Sequence, residues 1–172
     1  MGRGCPGLCE PGKGRPDMTI SKALEEIQTV FLDTAPVIYF IEAHHTFGPL
    51  VKQVVELMNE NRIHAFTSVL TLSEVLPKPV ETKNDALIEK FKAYLKKGQN
   101  LTLLPITEII GESAGVLRGK YPHLKTVDAV QIAAALDAGA DAFLTNDKKL
   151  STIKEIKILV LNDYIGDNTV GV

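Results

Sequence analysis

The stretch VFLDTAPVIYFIE, residues 30–42, changes character at its fourth residue, and that change decides the fold. Residues 28–33 are short with a β-branched and aromatic core, Val30, Phe31 and Leu32, which predicts a strand buried on both faces. Asp33-Thr34-Ala35-Pro36 then starts a helix, with a capping side chain and a proline suited to the first turn, where its missing N–H loses no bond. A buried strand passing directly into a helix is the repeating step of an α/β chain.

Further along, the same alternation recurs. Residues 47–61 carry Leu50, Val51, Val54, Val55, Leu57 and Met58 at helical spacing. A second strand is predicted over 64–67, and a helix from Thr71 is broken by Pro77 and Pro79. Residues 84–97 form an amphipathic helix stopped at Gly98. Strand three is 101–106, followed by a helix over 107–121 that Gly111, Gly115 and Gly119 weaken. An Ala-rich helix over 126–138 is closed by Gly139, and residues 142–145 and 157–161 supply strands four and five. The expectation is an α/β/α three-layer sandwich around a parallel sheet of about five strands, which binds ligands outside the carboxyl ends of its strands.

Four acids fall at or near that edge: Asp33, Glu74, Asp128 and Asp147. Each has an ordinary alternative. Asp33 could cap a helix, Glu74 lies three residues after Thr71 as in a capping box, Asp128 suits the dipole of a first helical turn, and Asp147 suits a turn. Taken together they suggest a metal site, because converging carboxylates repel unless a hard cation such as Mg²⁺ or Mn²⁺ neutralises them. A basic loop, with Arg118, Lys120, His123 and Lys125, precedes Asp128 and is placed to hold a phosphate backbone or to be a solvated loop. His44-His45 has no Cys or His partner at ligand spacing and reads as a helix end.

At 172 residues and 45% hydrophobic, the chain suits one domain with a sizeable core. No run reaches the roughly 18 apolar residues of a membrane span. Cys5 and Cys9 both lie in the first ten residues, so they cannot staple the core, and a core without cysteines suits a reducing cytoplasm. Residues 1–17 are Gly- and Pro-rich and lack a signal peptide's apolar middle. They read as a flexible extension, with Met18 an alternative start, ahead of a single domain over 18–172. The net charge of −2, taken alone, disfavours a nucleic-acid partner. From residue 18 onward, however, 16 Lys and Arg face 19 Asp and Glu, and setting aside the four candidate acids leaves a nearly neutral surface.

VFLDTAPVIYFIE, TSVLTLSEVL, TVDAVQIAAAL and AFLTNDKKL, in that order and spacing, resemble the PIN domain, and closely the VapC-type toxins of toxin–antitoxin pairs, over about residues 28–165. The resemblance implies an Mg²⁺- or Mn²⁺-dependent ribonuclease, with Asp33, Glu74, Asp128 and Asp147 as metal and catalytic acids and Thr145 as a supporting hydroxyl. It also implies an RNA substrate, a cognate antitoxin and a homodimer. Val127 departs from the proline that often precedes the third acid, which alters the helix start without removing a ligand. The competing expectation is a non-catalytic PIN-like module that binds RNA or protein. A phosphoacceptor receiver domain would need an adjacent acidic pair after strand one and a Lys after the last strand, whereas Thr34 and Asn162 stand there. A flap-type DNA nuclease needs a longer chain for its helical arch.

Overall fold

A computed structural model describes residues 19–166; the N-terminal extension expected over 1–17, with Cys5 and Cys9, lies outside the described residues. Five strands, β1 (Thr29–Leu32), β2 (His64–Ser68), β3 (Leu101–Leu104), β4 (Ala142–Thr145) and β5 (Lys157–Val160), pair wholly in parallel in the order β3-β2-β1-β4-β5. The chain therefore moves outward from β1 to β3, crosses back over β1, and moves outward again to β5.

Right-handed crossovers then have a fixed consequence: connections made before the reversal lie on one face of the sheet and those made after it on the other. The helices obey this rule. α1 (Ile20–Ala23), α2 (Thr34–Ile41), α3 (Gly48–Asn59), α4 (Val69–Val75), α5 (Pro77–Glu81) and α6 (Asp85–Lys97) precede β3. Apart from α5, each of these contributes buried residues to one apolar cluster, with Ile20, Val37, Val51, Val75 and Phe91 among them. α7 (Glu108–Lys120), α8 (Thr126–Asp137) and the 3₁₀ turn Lys148–Thr152 follow β3 and build the second cluster.

The strands divide their side chains between the two clusters by simple alternation. Val30 and Leu32 face the first cluster and Phe31 the second; Ala142 and Leu144 face the first and Phe143 the second. All six are fully buried, which is why these strands read as continuous apolar runs rather than as alternating ones. Phe31 and Phe143 stack across the β1–β4 pair with ring centroids 5.2 Å apart, anchoring the two strands on either side of the reversal.

Two glycines close helices for different reasons. Gly139, just beyond α8, has φ +67°, a conformation that a side chain would strain. Gly98 ends α6 by close approach instead, since a Cβ there would meet the Tyr94 carbonyl oxygen at 2.6 Å. At the amino edge of the sheet, Asp141 accepts bonds from the Gln28 and Thr29 amides at 3.0 and 2.9 Å and from the Thr29 hydroxyl at 3.0 Å. Those bonds, the Thr29 amide foremost, hold its pKa below the usual value. This acid is structural, at the edge opposite the candidate site.

Several predicted boundaries shift. The helix expected from Thr71 starts at Val69, because the Ser68 hydroxyl accepts from the Leu70 amide at 3.2 Å and caps it. Strand three ends at Leu104 rather than 106, and the proline pair begins a separate short helix, α5, with Pro77 in its first turn. The remaining predicted elements stand within two residues of their expected ends. None of the described helices is long and apolar enough to cross a membrane.

Candidate active site

The reversal between β1 and β4 leaves a crevice at their carboxyl ends, the place where an open parallel sheet binds ligands. Asp33 follows β1 directly. Its amide donates to the Leu144 carbonyl of β4 at 3.0 Å, continuing the ladder, while its side chain turns into the crevice. One carboxylate oxygen accepts from the Thr34 amide at 2.8 Å and the other from the Thr145 hydroxyl at 2.7 Å. The capping explanation of Asp33 is therefore correct and incomplete. Both of its oxygens are oriented, one by the helix and one by the last residue of β4.

Even with those two bonds, burial pushes the Asp33 pKa up to about 6, and the Asp128 and Glu74 carboxylates raise it further while the Thr145 and Thr34 bonds oppose. Asp128, on the first turn of α8, is also raised, first by burial and then by Asp147, with Lys125 opposing and Glu74 adding to the rise. Asp33 thus feels the charges of Asp128 and Glu74, and Asp128 those of Asp147 and Glu74. Such a group of carboxylates is a standing cost that a hard divalent cation removes, and an all-oxygen donor set suits Mg²⁺ or Mn²⁺. Among the described residues, no three Asp, Glu, His or Cys side chains converge closely enough to hold an ion as they stand. The donor chemistry of the four carboxylates fits such an ion, although the side chains are not closed on one point.

The partner of Glu74 overturns its capping-box explanation. Thr71 is fully buried inside α4 and is not its cap; Glu74 instead accepts a hydrogen bond from the Thr34 hydroxyl on α2. Asp147 keeps its turn role, with Oδ1 accepting from the Lys149 amide at 2.9 Å, and its own amide donates to the Thr145 hydroxyl oxygen at 3.0 Å. Thr145 therefore joins Asp33 to Asp147. Neighbouring Asn146 donates to the Tyr39 hydroxyl at 3.2 Å and accepts from the Asn162 amide at 3.0 Å, tying the β4 and β5 ends to α2.

The basic loop divides. Lys125, exposed immediately before α8, is near enough to Asp128 for its charge to oppose the rise in that acid's pKa. Lys120 pairs with Glu155 at 3.2 Å, and His123 bonds Thr152 at 3.0 Å. Arg118 is exposed in the last turn of α7, with no hydrogen bond or ion pair among the described residues linking it to the acids. His44 is a helix end as expected, its Nδ1 accepting from the Thr46 and Phe47 amides at 3.2 Å ahead of α3. The cavity of about 380 Å³ beside it is lined by Phe40, His44, His45 and Lys52 and contains none of the acids.

Sequence reasoning passed over the floor of the crevice. Thr67, Ser68, Thr71 and Gln131 are fully or almost fully buried and bond to one another there. A signal was present for Gln131 alone, as one amide inside the apolar run AVQIAAAL.

Comparison with known proteins agrees with this fold. The PIN domain family matches residues 30–156. Among solved structures, the chain is similar to VapBC2 from Rickettsia felis bound to a DNA fragment from its promoter, at TM-score 0.63 and 18% identity, covering 77% of this chain and 98% of that one. It is similar to a toxin–antitoxin complex from Klebsiella pneumoniae at TM-score 0.58 and 21% identity, covering 77% and 97%. A third is Mycobacterium tuberculosis VapC20, a Sarcin-Ricin loop cleaving toxin, at TM-score 0.59 and 17% identity, covering 74% and 98%. No curated protein matches the chain.

Proposed function

Because the chain belongs to the PIN domain family, we propose that it is a divalent-metal-dependent ribonuclease acting as the toxin of a toxin–antitoxin pair. The observation that carries this reading is Asp33, a half-buried carboxylate at the sheet's reversal point, both oxygens held by Thr34 and Thr145 and its pKa pushed up to about 6 with two other acids adding to the rise. Solved relatives that are toxin–antitoxin complexes, and one that cleaves the Sarcin-Ricin loop, support the assignment to RNA and to an antitoxin partner.

Asp33 and Asp128 would hold Mg²⁺ or Mn²⁺, with Asp147 and Glu74 reaching it directly or through water. When bound, the ion supplies Lewis-acid polarisation of the scissile phosphate and of the attacking water. Thr145 fixes the orientation of Asp33, and through the Asp147 amide it sets the approach of that acid as well. Glu74 keeps one carboxylate oxygen on Thr34, leaving the other to orient the water or accept its proton. No protein nucleophile is required. The antitoxin would cover the acidic crevice, and a homodimer would extend the RNA-binding surface; the cytoplasm is the compartment where such a toxin meets its RNA.

Cleavage of a structured RNA by the purified protein is expected with Mn²⁺ and is lost on adding chelator or in Asp128→Asn. Cleavage indifferent to both would overturn the reading, and RNA binding without cleavage would favour a non-catalytic module. Lys125 and Lys120 provide a second check. Lys125→Ala should weaken RNA binding alike across sequences and reduce the salt-dependence slope by about 1, as a phosphate contact does. Lys120→Ala should leave that slope alone, since its charge is already paired with Glu155. Equal effects of the two substitutions would remove Lys125 from the site.

A further inference from the structure

The buried polar side chains among the described residues are Thr67, Ser68, Thr71, Gln131 and Thr145, and all five lie beneath the acids. Thr145 serves Asp33. The other four form, with Thr34, a chain of hydrogen bonds that ends on Glu74.

Counting protons fixes the direction of every link. The Thr67 hydroxyl gives its one proton to the Leu32 carbonyl at 2.9 Å, so across its 2.9 Å contact with Thr71 it accepts and Thr71 donates. With its proton used, Thr71 accepts from the Gln131 amide at 3.1 Å. The Thr34 proton goes to Glu74, so Thr34 accepts the second Gln131 amide proton at 3.4 Å. The Gln131 carbonyl oxygen accepts from Ser68, whose oxygen in turn accepts the Leu70 amide. Gln131 therefore uses both donors and its acceptor, and it touches all three elements that carry Asp33, Glu74 and Asp128. Asp128 itself lies one helical turn earlier on α8.

Stability alone does not explain this arrangement. Replacing matched buried polar partners by apolar groups of the same shape is nearly neutral or stabilising, and the other buried residues of α8, Ala129 and Ile132 to Ala135, are apolar and pack without matched bonds. What the network uniquely achieves lies at its exposed end. Glu74 is at the surface, on a flexible side chain, and its one hydrogen bond into the crevice comes from the Thr34 hydroxyl, which Gln131 holds from behind.

We propose that Gln131 is a positioning residue of the acidic site: acting through Thr34, it holds the Glu74 carboxylate toward Asp33 and so sets the affinity of the crevice for a divalent cation. This rests on the metal-dependent reading above. Thr34 carries the effect, and its hydroxyl rather than its bulk is the working part.

The test is Mn²⁺ binding to the full chain without RNA, read from the paramagnetic signal of free Mn²⁺, alongside denaturation in chelator. Gln131→Met and Thr34→Val should each weaken Mn²⁺ binding about tenfold, the lower end for residues that orient metal ligands. Thr34→Ser, which restores the hydroxyl, should recover the affinity. Because the two residues act in series, the double variant Thr34→Val/Gln131→Met should bind no more weakly than Thr34→Val alone. Unchanged Mn²⁺ affinity in folded Gln131→Met, or losses that multiply in the double variant, would overturn the proposal while leaving the nuclease reading intact. If Gln131→Met fails to fold, unchanged affinity in Thr34→Val overturns it equally. A wild-type chain that binds no Mn²⁺ removes the metal reading and the positioning role together.

Discussion

Asp33→Asn is expected to abolish RNA cleavage and, in the same protein, to increase the stability of the metal-free chain at neutral pH. The first effect follows from the proposed role as a metal ligand: altering residues that merely orient ligands costs 10- to 100-fold, so losing a ligand should cost at least about 100-fold. The second follows from the pKa. Burial raises it to about 6, so the folded protein holds this proton more tightly than the unfolded chain does. The associated stability is fully present below the unfolded value, near pH 4, and is lost as the pH rises through about 6. At pH 7 the ionised group costs roughly 1–2 kcal/mol after discounting for its partial exposure. Asparagine removes the charge while its side-chain oxygen can still accept the Thr34 amide. Denaturation in chelator at pH 4 and pH 7 should show the mutant's advantage only at the higher pH. A destabilised mutant at pH 7, or one that cleaves like wild type, would contradict the role given to Asp33.

Phe143→Ala is the substitution that should most damage the fold. Phe143 is fully buried and stacks on Phe31 across the β1–β4 pair. Truncating a buried aromatic costs about 3–5 kcal/mol, a large part of the 5–15 kcal/mol that holds a typical domain. The loss also falls where β1 and β4 meet, so Asp33 and Thr145 should drift apart and metal binding should weaken beyond what unfolding explains. Chemical denaturation gives the first quantity and Mn²⁺ titration of the remaining folded protein the second. Lys52→Ala provides the contrast, since its pair with Glu56 is largely exposed and contributes at most about 0.5 kcal/mol. A Phe143→Ala protein as stable as Lys52→Ala would mean that the stack does not anchor the strands.

The two outcomes pull in opposite directions for one reason. The aromatic stack and the helices covering it stabilise the sheet, while the crevice above it gathers like charges at some expense to that stability. Sites of this kind are where a stabilising substitution and an inactivating one coincide.

Much of this was legible from local sequence. The strand ending in Asp33, the capped helix after it and the buried helix opening at Asp128 are set by short-range rules: apolar runs, capping side chains, and proline or glycine at fixed positions. Those rules also set the alternatives, and for Asp33 and Asp147 the capping and turn explanations proved true alongside any further role. For Glu74 the local rule failed. Thr71 offered the right spacing for a cap, but Ser68 had already capped the helix three residues earlier, and Thr71 turned inward to Thr67 and Gln131. Burial decided between two residues equally able to cap.

The sequence by itself determined the alternation of strand and helix, the two-faced burial of the strands and the carboxyl edge on which Asp33 and Asp147 stand. Only the tertiary structure decided the strand order, and with it the reversal between β1 and β4 that brings residues more than a hundred positions apart to one crevice. It alone turned Glu74 to Thr34 and drew Gln131 beneath them both. The physical reason is range: capping, turn geometry and hydrophobic period act within a few residues, whereas desolvation, carboxylate repulsion and proton-matched hydrogen bonds exist only once separate segments are packed together.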